Sequence, residues 1–269
     1  MALYAPATMK DRPSFTAKWV ASQRARLERP HDDQGDPDAE RRLYQALAGR
    51  LSFVHIDPAR MRRRTEWFDT ATVDALADGV KQVVVVGAGY DGRALRFKGD
   101  GVRWIEIDHP ATQADKRKRV DALGVPTSHI AYTSVDLVRD DLDTALDEAG
   151  HRPTEPTLFM CEGLLGYLPA ETIDQLFTVL RRRATDDSTL VANFRVLERS
   201  RWLGDRIGRA ALDGILNVVG ESRKTSFHEG VAERLLDDAG WTVTRQGLSD
   251  HDAFDASHGL LVRARPSPP

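Results

Sequence analysis

The chain contains almost no cysteine, Cys161 being the only one among 269 residues. An intramolecular disulfide is therefore excluded, as is a zinc site built on several thiolates, and no metal is expected. No run approaches the roughly 20 apolar residues of a membrane-spanning helix, so no membrane partner is expected. The opening M-A-L-Y-A-P-A-T-M-K lacks the basic-then-apolar order of a secretion signal, and a cytoplasmic location is expected. An excess of one charge sign is missing too: 38 Lys and Arg face 41 Asp and Glu, for a net charge of −3. Proteins that bind polyanions carry a basic excess, so nucleic acid is not an expected partner. What is present is ordinary for a folded chain able to bury a core, with 41% hydrophobic and 29% charged residues.

The length suits one large α/β domain or one domain with an appendage. Residues 1–80 read as a helical cover. Pro13 and Ser14 can open a first helix in which Phe15, Trp19 and Val20 stand at helical spacing; such a helix is either a lid over a pocket or a packed outer helix. H-D-D-Q-G-D-P (31–37) is a turn-rich linker. Helical stretches over 39–51 and 58–76 follow, the second carrying Arg60, Arg62, Arg63 and Arg64, a pattern of a solvated face.

From residue 81 the texture changes. Q-V-V-V-V-G (82–87) fits a strand buried on both faces of a parallel sheet. Strands over 103–108, 129–136, 157–162 and 188–194 then alternate with helices over 111–123, 141–149 and 170–184, and a helix over 228–239 precedes strands over 241–247 and 259–265. Regular alternation predicts a mostly parallel, doubly wound sheet of seven strands, and the closing pair predicts an antiparallel C-terminal hairpin. Residues 81–269 form the core of this scheme, with a helical insertion over about 195–227.

In an open parallel sheet, ligands sit beyond the carboxyl ends of the strands. Those positions are polar here: the glycine loop G-A-G-Y-D-G-R (87–93), Asp108, Asp136, Glu162, and Asn193 with Arg195. Each has a plain structural alternative, because tight turns need glycine and aspartates cap helices. Taken together they favour a cofactor containing a nucleoside. G-A-G-Y-D-G also satisfies the dinucleotide fingerprint, so an NAD(P)-dependent oxidoreductase stands beside S-adenosylmethionine chemistry. The later chain offers no Tyr/Lys, Ser/Tyr or His/Asp arrangement of a dehydrogenase, and the terminal hairpin suits the seven-stranded methyltransferase fold.

S-F-T-A-K-W-V-A-S-Q-R-A (14–25), G-D-P-D-A-E-R-R-L-Y (35–44), R-T-E-W-F-D (64–69), G-A-G-Y-D-G-R-A-L-R (87–96), E-I-D-H-P (106–110), V-D-L (135–137) and C-E-G-L-L-G-Y-L-P (161–169) resemble, over nearly the whole chain, the leucine carboxyl methyltransferase family. The similarity is to its bacterial small-molecule branch, which includes polyketide carboxyl O-methyltransferases of the tetracenomycin type. The resemblance implies a class I methyltransferase fold with S-adenosyl-L-methionine as cofactor. It implies that Arg64 binds the cofactor carboxylate, Gly87 and Gly89 line its methionine and ribose, Asp108 holds the ribose, Asp136 and Leu137 frame the adenine, and Glu162 meets the amino group. Gly92 departs from the pattern by standing where the family commonly has threonine, which completes the dinucleotide fingerprint by accident.

Methyl transfer from a sulfonium is an in-line displacement with an activated leaving group, so the protein chiefly positions the reactants and excludes water. The resemblance favours a carboxylate acceptor on a small aromatic or polyketide-type molecule. A carboxylate is already ionised at neutral pH, whereas a phenol gains from a base. Trp19, Arg93, Tyr167, Asn193 and Arg195 are the expected acceptor contacts, with Tyr167, Arg195 and His228 the candidates at the reacting centre. Arg93 has a structural ion pair as its alternative, Tyr167 a core position, and His228 a place in the first turn of a helix capped by Ser226 and Glu229. Apolar residues in 195–227, with Phe15 and Trp19, suit a roof over the acceptor or a homodimer surface. Methylation of a protein C-terminal carboxylate is the remaining alternative within the family.

Overall fold

A computed structural model describes residues 12–25, 27–48, 58–197, 225, 227, 230–248 and 257–268. Helix α1 (Phe15–Arg24) starts where the Pro13–Ser14 pair places it, with the Ser14 hydroxyl accepting the Ala17 N–H at 3.0 Å. Helices α2 (Pro37–Ala48) and α3 (Pro58–Ala77) follow. The sheet comprises β1 (Gln82–Val86), β2 (Arg103–Asp108), β3 (Ile130–Ser134), β4 (Thr157–Cys161), β5 (Thr189–Leu197), β6 (Trp241–Leu248) and β7 (Ser257–Pro266). Between the strands lie α4 (Arg93–Arg96), α5 (Pro110–Asp121), α6 (Leu142–Glu148), α7 (Ala170–Arg182) and α8 (Val231–Asp238).

The seven strands run in the order β3-β2-β1-β4-β5-β7-β6. β1 to β5 are parallel, and β7 is antiparallel to both β5 and β6. This is the doubly wound sheet with a terminal hairpin that the alternation predicts. All five residues of β1 are buried because the sheet is covered on both sides. Val83 and Val85 enter a core shared with Ala21, Leu43, Tyr44 and Phe68 of α1 to α3. Val84 and Val86 enter the opposite core with α6, α7 and α8. The helices of the first eighty residues thus share a core with the sheet.

Most boundaries shift by a few residues from their expectations, and the shift that bears on the site is in β5. β5 continues to Leu197 rather than ending at 194, because β7 pairs with it antiparallel from Leu190–Ala264 to Leu197–Ser257, beyond the end of β4. Asn193 and Arg195 are therefore inside a strand and not at its end. No described helix is long and apolar enough to cross a membrane. His228 and most of the insertion expected over 195–227 lie outside the described residues. The described helix α8 begins at Val231, with Gly230 at its N-cap.

Candidate active site

The ends of β1 to β4 and the inner face of α1 bound a cavity of about 690 Å³. The β1–α4 turn reaches it through glycine: Gly87 and Gly89 have φ of +70° and +51°, the left-handed region where a side chain is strained. A Cβ at Gly87 would also come within 2.9 Å of Leu164. The backbone can therefore face the cavity at these two points.

Asp108, at the end of β2, is held by backbone donors. Its Oδ2 accepts the Gly89 N–H at 2.6 Å and its Oδ1 the His109 N–H at 2.7 Å. The cap of α5 is His109, so Asp108 is not needed there. Each oxygen accepts one of these bonds and has capacity for another, and Asp108 lines the cavity. Burial pushes this carboxyl above its usual value, against the two backbone N–H groups. Asp136 follows β3 and makes an Asx turn, its Oδ1 accepting the Val138 N–H at 3.1 Å. The turn role open to it in the sequence is thus realised while Asp136 and Leu137 still line the cavity.

Glu162 follows β4 and is ringed by guanidinium groups. Arg64 Nε donates to its Oε1 at 3.0 Å, Arg93 Nη1 to its Oε2 at 3.0 Å, and Arg24 also donates to Oε1. Burial alone would raise this carboxyl, but Arg24, Arg93 and Arg64 hold it below the usual range. The ring belongs to a larger buried lattice. Asp69 accepts from Arg29 at 2.7 and 2.9 Å, from Arg93 at 2.8 Å and from Arg96 at 2.9 Å. Asp91 pairs with Arg93, and Glu40 with Arg29. Five arginines (24, 29, 64, 93, 96) thus meet four carboxylates (40, 69, 91, 162) in one connected lattice.

Arg64, Gly87, Gly89, Asp108, Asp136, Leu137, Glu162 and Tyr167 all line this one cavity. Four other residues expected at the site do not. Arg93 is fully buried, and its guanidinium is committed to Asp69, Asp91 and Glu162. Trp19 packs on Met61 outside the cavity. Asn193 holds the loop after β4, its Oδ1 accepting the Gly163 N–H at 2.6 Å. The Arg195 carbonyl accepts the Phe227 N–H at 3.0 Å. In contrast to the solvated face expected for the arginine run, Arg64 turns inward while Arg62 and Arg63 are exposed.

Arg24 is a cavity-lining cation that the sequence did not single out. It shares a helical stripe with Ala17, Val20 and Ala21, all of which line the cavity with it. A basic residue on an inward stripe was the available signal. Its Nε is buried with no partner among the described residues.

The donor set fits S-adenosylmethionine. Arg64 and Arg24, both lining the cavity, suit a carboxylate; Glu162 suits an ammonium; Asp108 suits two ribose hydroxyls; and the glycines admit the chain between them. A dinucleotide fits less well, because its diphosphate needs the N-terminus of a substantial helix and α4 has four residues. Gly92 has a local reason as well. A Cβ there would lie 2.4 Å from Cγ of Glu40, so α2 fills the space a larger residue would take. The helix it caps receives no side-chain hydrogen bond.

Comparison with known families decides the assignment. The model of the family described as leucine carboxyl methyltransferase matches residues 17–181, more than half of the chain. The chain belongs to the leucine carboxyl methyltransferase family. A candidate S-adenosyl-L-methionine-dependent methyltransferase of Mycolicibacterium smegmatis is 33% identical over 88% of this chain and 87% of its own length. One from Frankia alni is 33% identical over 79% of this chain and 70% of its own. A third, from Mycolicibacterium gilvum, is 39% identical, but the match spans 48% of this chain and 43% of that relative. Among solved structures, a methyltransferase candidate from Thermobifida fusca YX has a TM-score of 0.59 at 14% identity, covering 99% of this chain and 100% of that one. Magnesium protoporphyrin IX methyltransferase from Synechocystis PCC 6803 with bound S-adenosylmethionine has a TM-score of 0.54 at 16% identity, covering 86% and 90%. These structures show the class I methyltransferase fold. This family member is an S-adenosylmethionine-dependent methyltransferase, and the nicotinamide alternative is set aside.

Proposed function

We propose that this methyltransferase esterifies a carboxylate of a small, largely apolar acceptor of the aromatic or polyketide type. The observation that carries the reading is the cavity itself: cations and carboxylates gather at the strand ends, and the opposite wall is the apolar face of α1. S-adenosylmethionine, when bound, supplies a methyl group on a sulfonium whose departure leaves a neutral thioether. Arg64 and Arg24 would hold its carboxylate, Glu162 its ammonium and Asp108 its ribose hydroxyls, while Gly87, Gly89, Asp136 and Leu137 would line it. Arg24 pairs with Glu162 and would have to turn from it toward the ligand carboxylate for an ammonium to be admitted there. Tyr167 in the turn after β4 orients the acceptor, and Arg12 at the cavity wall provides a cation for its carboxylate.

An ionised carboxylate acceptor would need no proton removed, so none of these residues has to act as a base. The protein's part is therefore alignment and water exclusion, worth up to roughly 7–11 kcal/mol when reactants are held in line. Trp19, Arg93, Asn193 and Arg195 have no part in this scheme, because none lines the cavity. The roof formed by α1 favours a small acceptor over a protein C-terminus. The test is transfer of an isotopically labelled methyl group to a panel of aromatic acids, phenols and C-terminal peptides, with product masses. Methyl esters of the acids are expected; methyl ethers alone, or esters of peptides alone, would overturn the acceptor class.

A further inference from the structure

Buried polar side chains join α5 to the sheet and to the wall of the methyl-transfer cavity. Gln113 Nε2 donates to the Glu106 carbonyl at 2.6 Å. Lys116 Nζ donates to the Glu106 carboxylate and, at 2.6 Å, to the Asp91 carbonyl. Lys116 and Glu106 are each 1% exposed, and neither lines the cavity. Taking an ammonium out of water is costly even when it is paired, and a methionine of similar length would fill the same space without that cost. Packing alone therefore gives no reason for a lysine here.

The reason lies in the backbone that Lys116 holds. Asp91 closes the run 87–91, every residue of which lines the cavity. The front of this run is tied to β2: the Gly87 and Ala88 N–H groups donate to the Ile107 carbonyl at 2.8 and 2.9 Å, and the Gly89 N–H to Asp108 at 2.6 Å. Its rear leads into α4, which has only four residues and a glycine at its N-cap. Gly87 and Gly89 leave the run free to take other backbone conformations. Arg93 fixes the Asp91 carboxylate, whereas Lys116 fixes the peptide plane that follows it. A hydrogen bond from a buried cation is of the strong kind. We propose that Lys116 is a positioning residue of the methyl-transfer site: with Glu106 neutralising its charge, it holds the 87–91 loop in the shape that receives the cofactor. This role rests on the reading of the cavity as the cofactor site.

Calorimetric titration of S-adenosylhomocysteine into the wild-type chain, Lys116→Met, Glu106→Gln and Asp108→Ala tests it, with melting temperatures measured alongside. Lys116→Met and Glu106→Gln both break the ion pair, and both are expected to melt below the wild-type chain. Only Lys116→Met frees the Asp91 carbonyl. It is therefore expected to lose about ten-fold or more in affinity, while Glu106→Gln stays within about two-fold of wild type. Equal losses in the two, or wild-type affinity in a folded Lys116→Met, would show that Lys116 only stabilises the fold and would overturn the proposal. Should Lys116→Met fail to fold, the double variant Lys116→Met/Glu106→Gln removes the unpaired buried charge, and the same loss is expected of it relative to Glu106→Gln alone; equal affinity in these two overturns the proposal. Lost affinity in Asp108→Ala beside unaffected Lys116→Met overturns the positioning role alone, whereas unaltered affinity in Asp108→Ala overturns the cofactor site and the positioning role with it.

Discussion

The two faces of the sheet are built on different principles. Toward α6, α7 and α8 the core is aromatic and aliphatic: Phe177 and Phe194 lie 5.9 Å apart, Phe194 and Phe227 meet edge to face at 5.1 Å, and Phe159 meets Trp241 at 6.2 Å. Toward α1 to α4 apolar packing is joined by the buried lattice of five arginines and four carboxylates. Packing is tolerant of shape and indifferent to direction, whereas a buried ion pair fixes direction and punishes a missing partner. The directional face is the one that carries the cavity, so α1, α3 and the ends of β1 and β4 are tied together where ligand groups must be placed.

The strongest way to break this contrast is a volume-conserving substitution on each face. Arg93→Met removes the cation shared by Asp69, Asp91 and Glu162, and a loss of about 3–5 kcal/mol is expected in urea unfolding, as for a buried charge left without its partner. Leu180→Met on the apolar face, at a side chain with 0% exposure, is expected to cost less than about 1.5 kcal/mol. Similar costs for both would show that the lattice is no more demanding than ordinary packing.

Acid comes next. The Asp69, Asp91 and Glu162 carboxyls are each pushed up by burial but held below their ordinary values by the facing arginines. In the unfolded chain such groups take up protons near pH 4. Their contribution is thus complete above about pH 4 and is lost as pH falls through the lower folded values. Urea midpoints measured from pH 7 downward should fall steeply below about pH 4, and less steeply in Arg93→Met. A smaller effect is expected at the entrance to α1. Ser14→Ala removes the cap at Ala17 N and should cost about 1 kcal/mol, seen in the melting temperature.

The same contrast explains what the sequence made legible. Strands and helices followed from β-branched runs and apolar periodicity, and the polar strand ends Asp108, Asp136 and Glu162 converge on one cavity because a parallel sheet aligns the ends of its strands. The lattice was hidden. Periodicity records which faces are apolar, and it carries no trace of an ion pair between residues 138 positions apart, such as Arg24 with Glu162. In sequence Arg93 is a candidate acceptor contact with a structural ion pair as its alternative, and the ion pair is the role it takes, while Arg24 is not singled out. The length of β5 was hidden for a similar reason, since its last residues are strand only because β7 lies beside them.

The strand-end carboxylates Asp108, Asp136 and Glu162 are proposed to form an S-adenosylmethionine site. Calorimetric titration of S-adenosylhomocysteine, with NADH in parallel, into the wild-type chain and Asp108→Ala tests it most directly. Only S-adenosylhomocysteine is expected to bind, and Asp108→Ala is expected to lose that binding while keeping its circular dichroism spectrum. Unaltered affinity in Asp108→Ala, or binding of NADH alone, would contradict it.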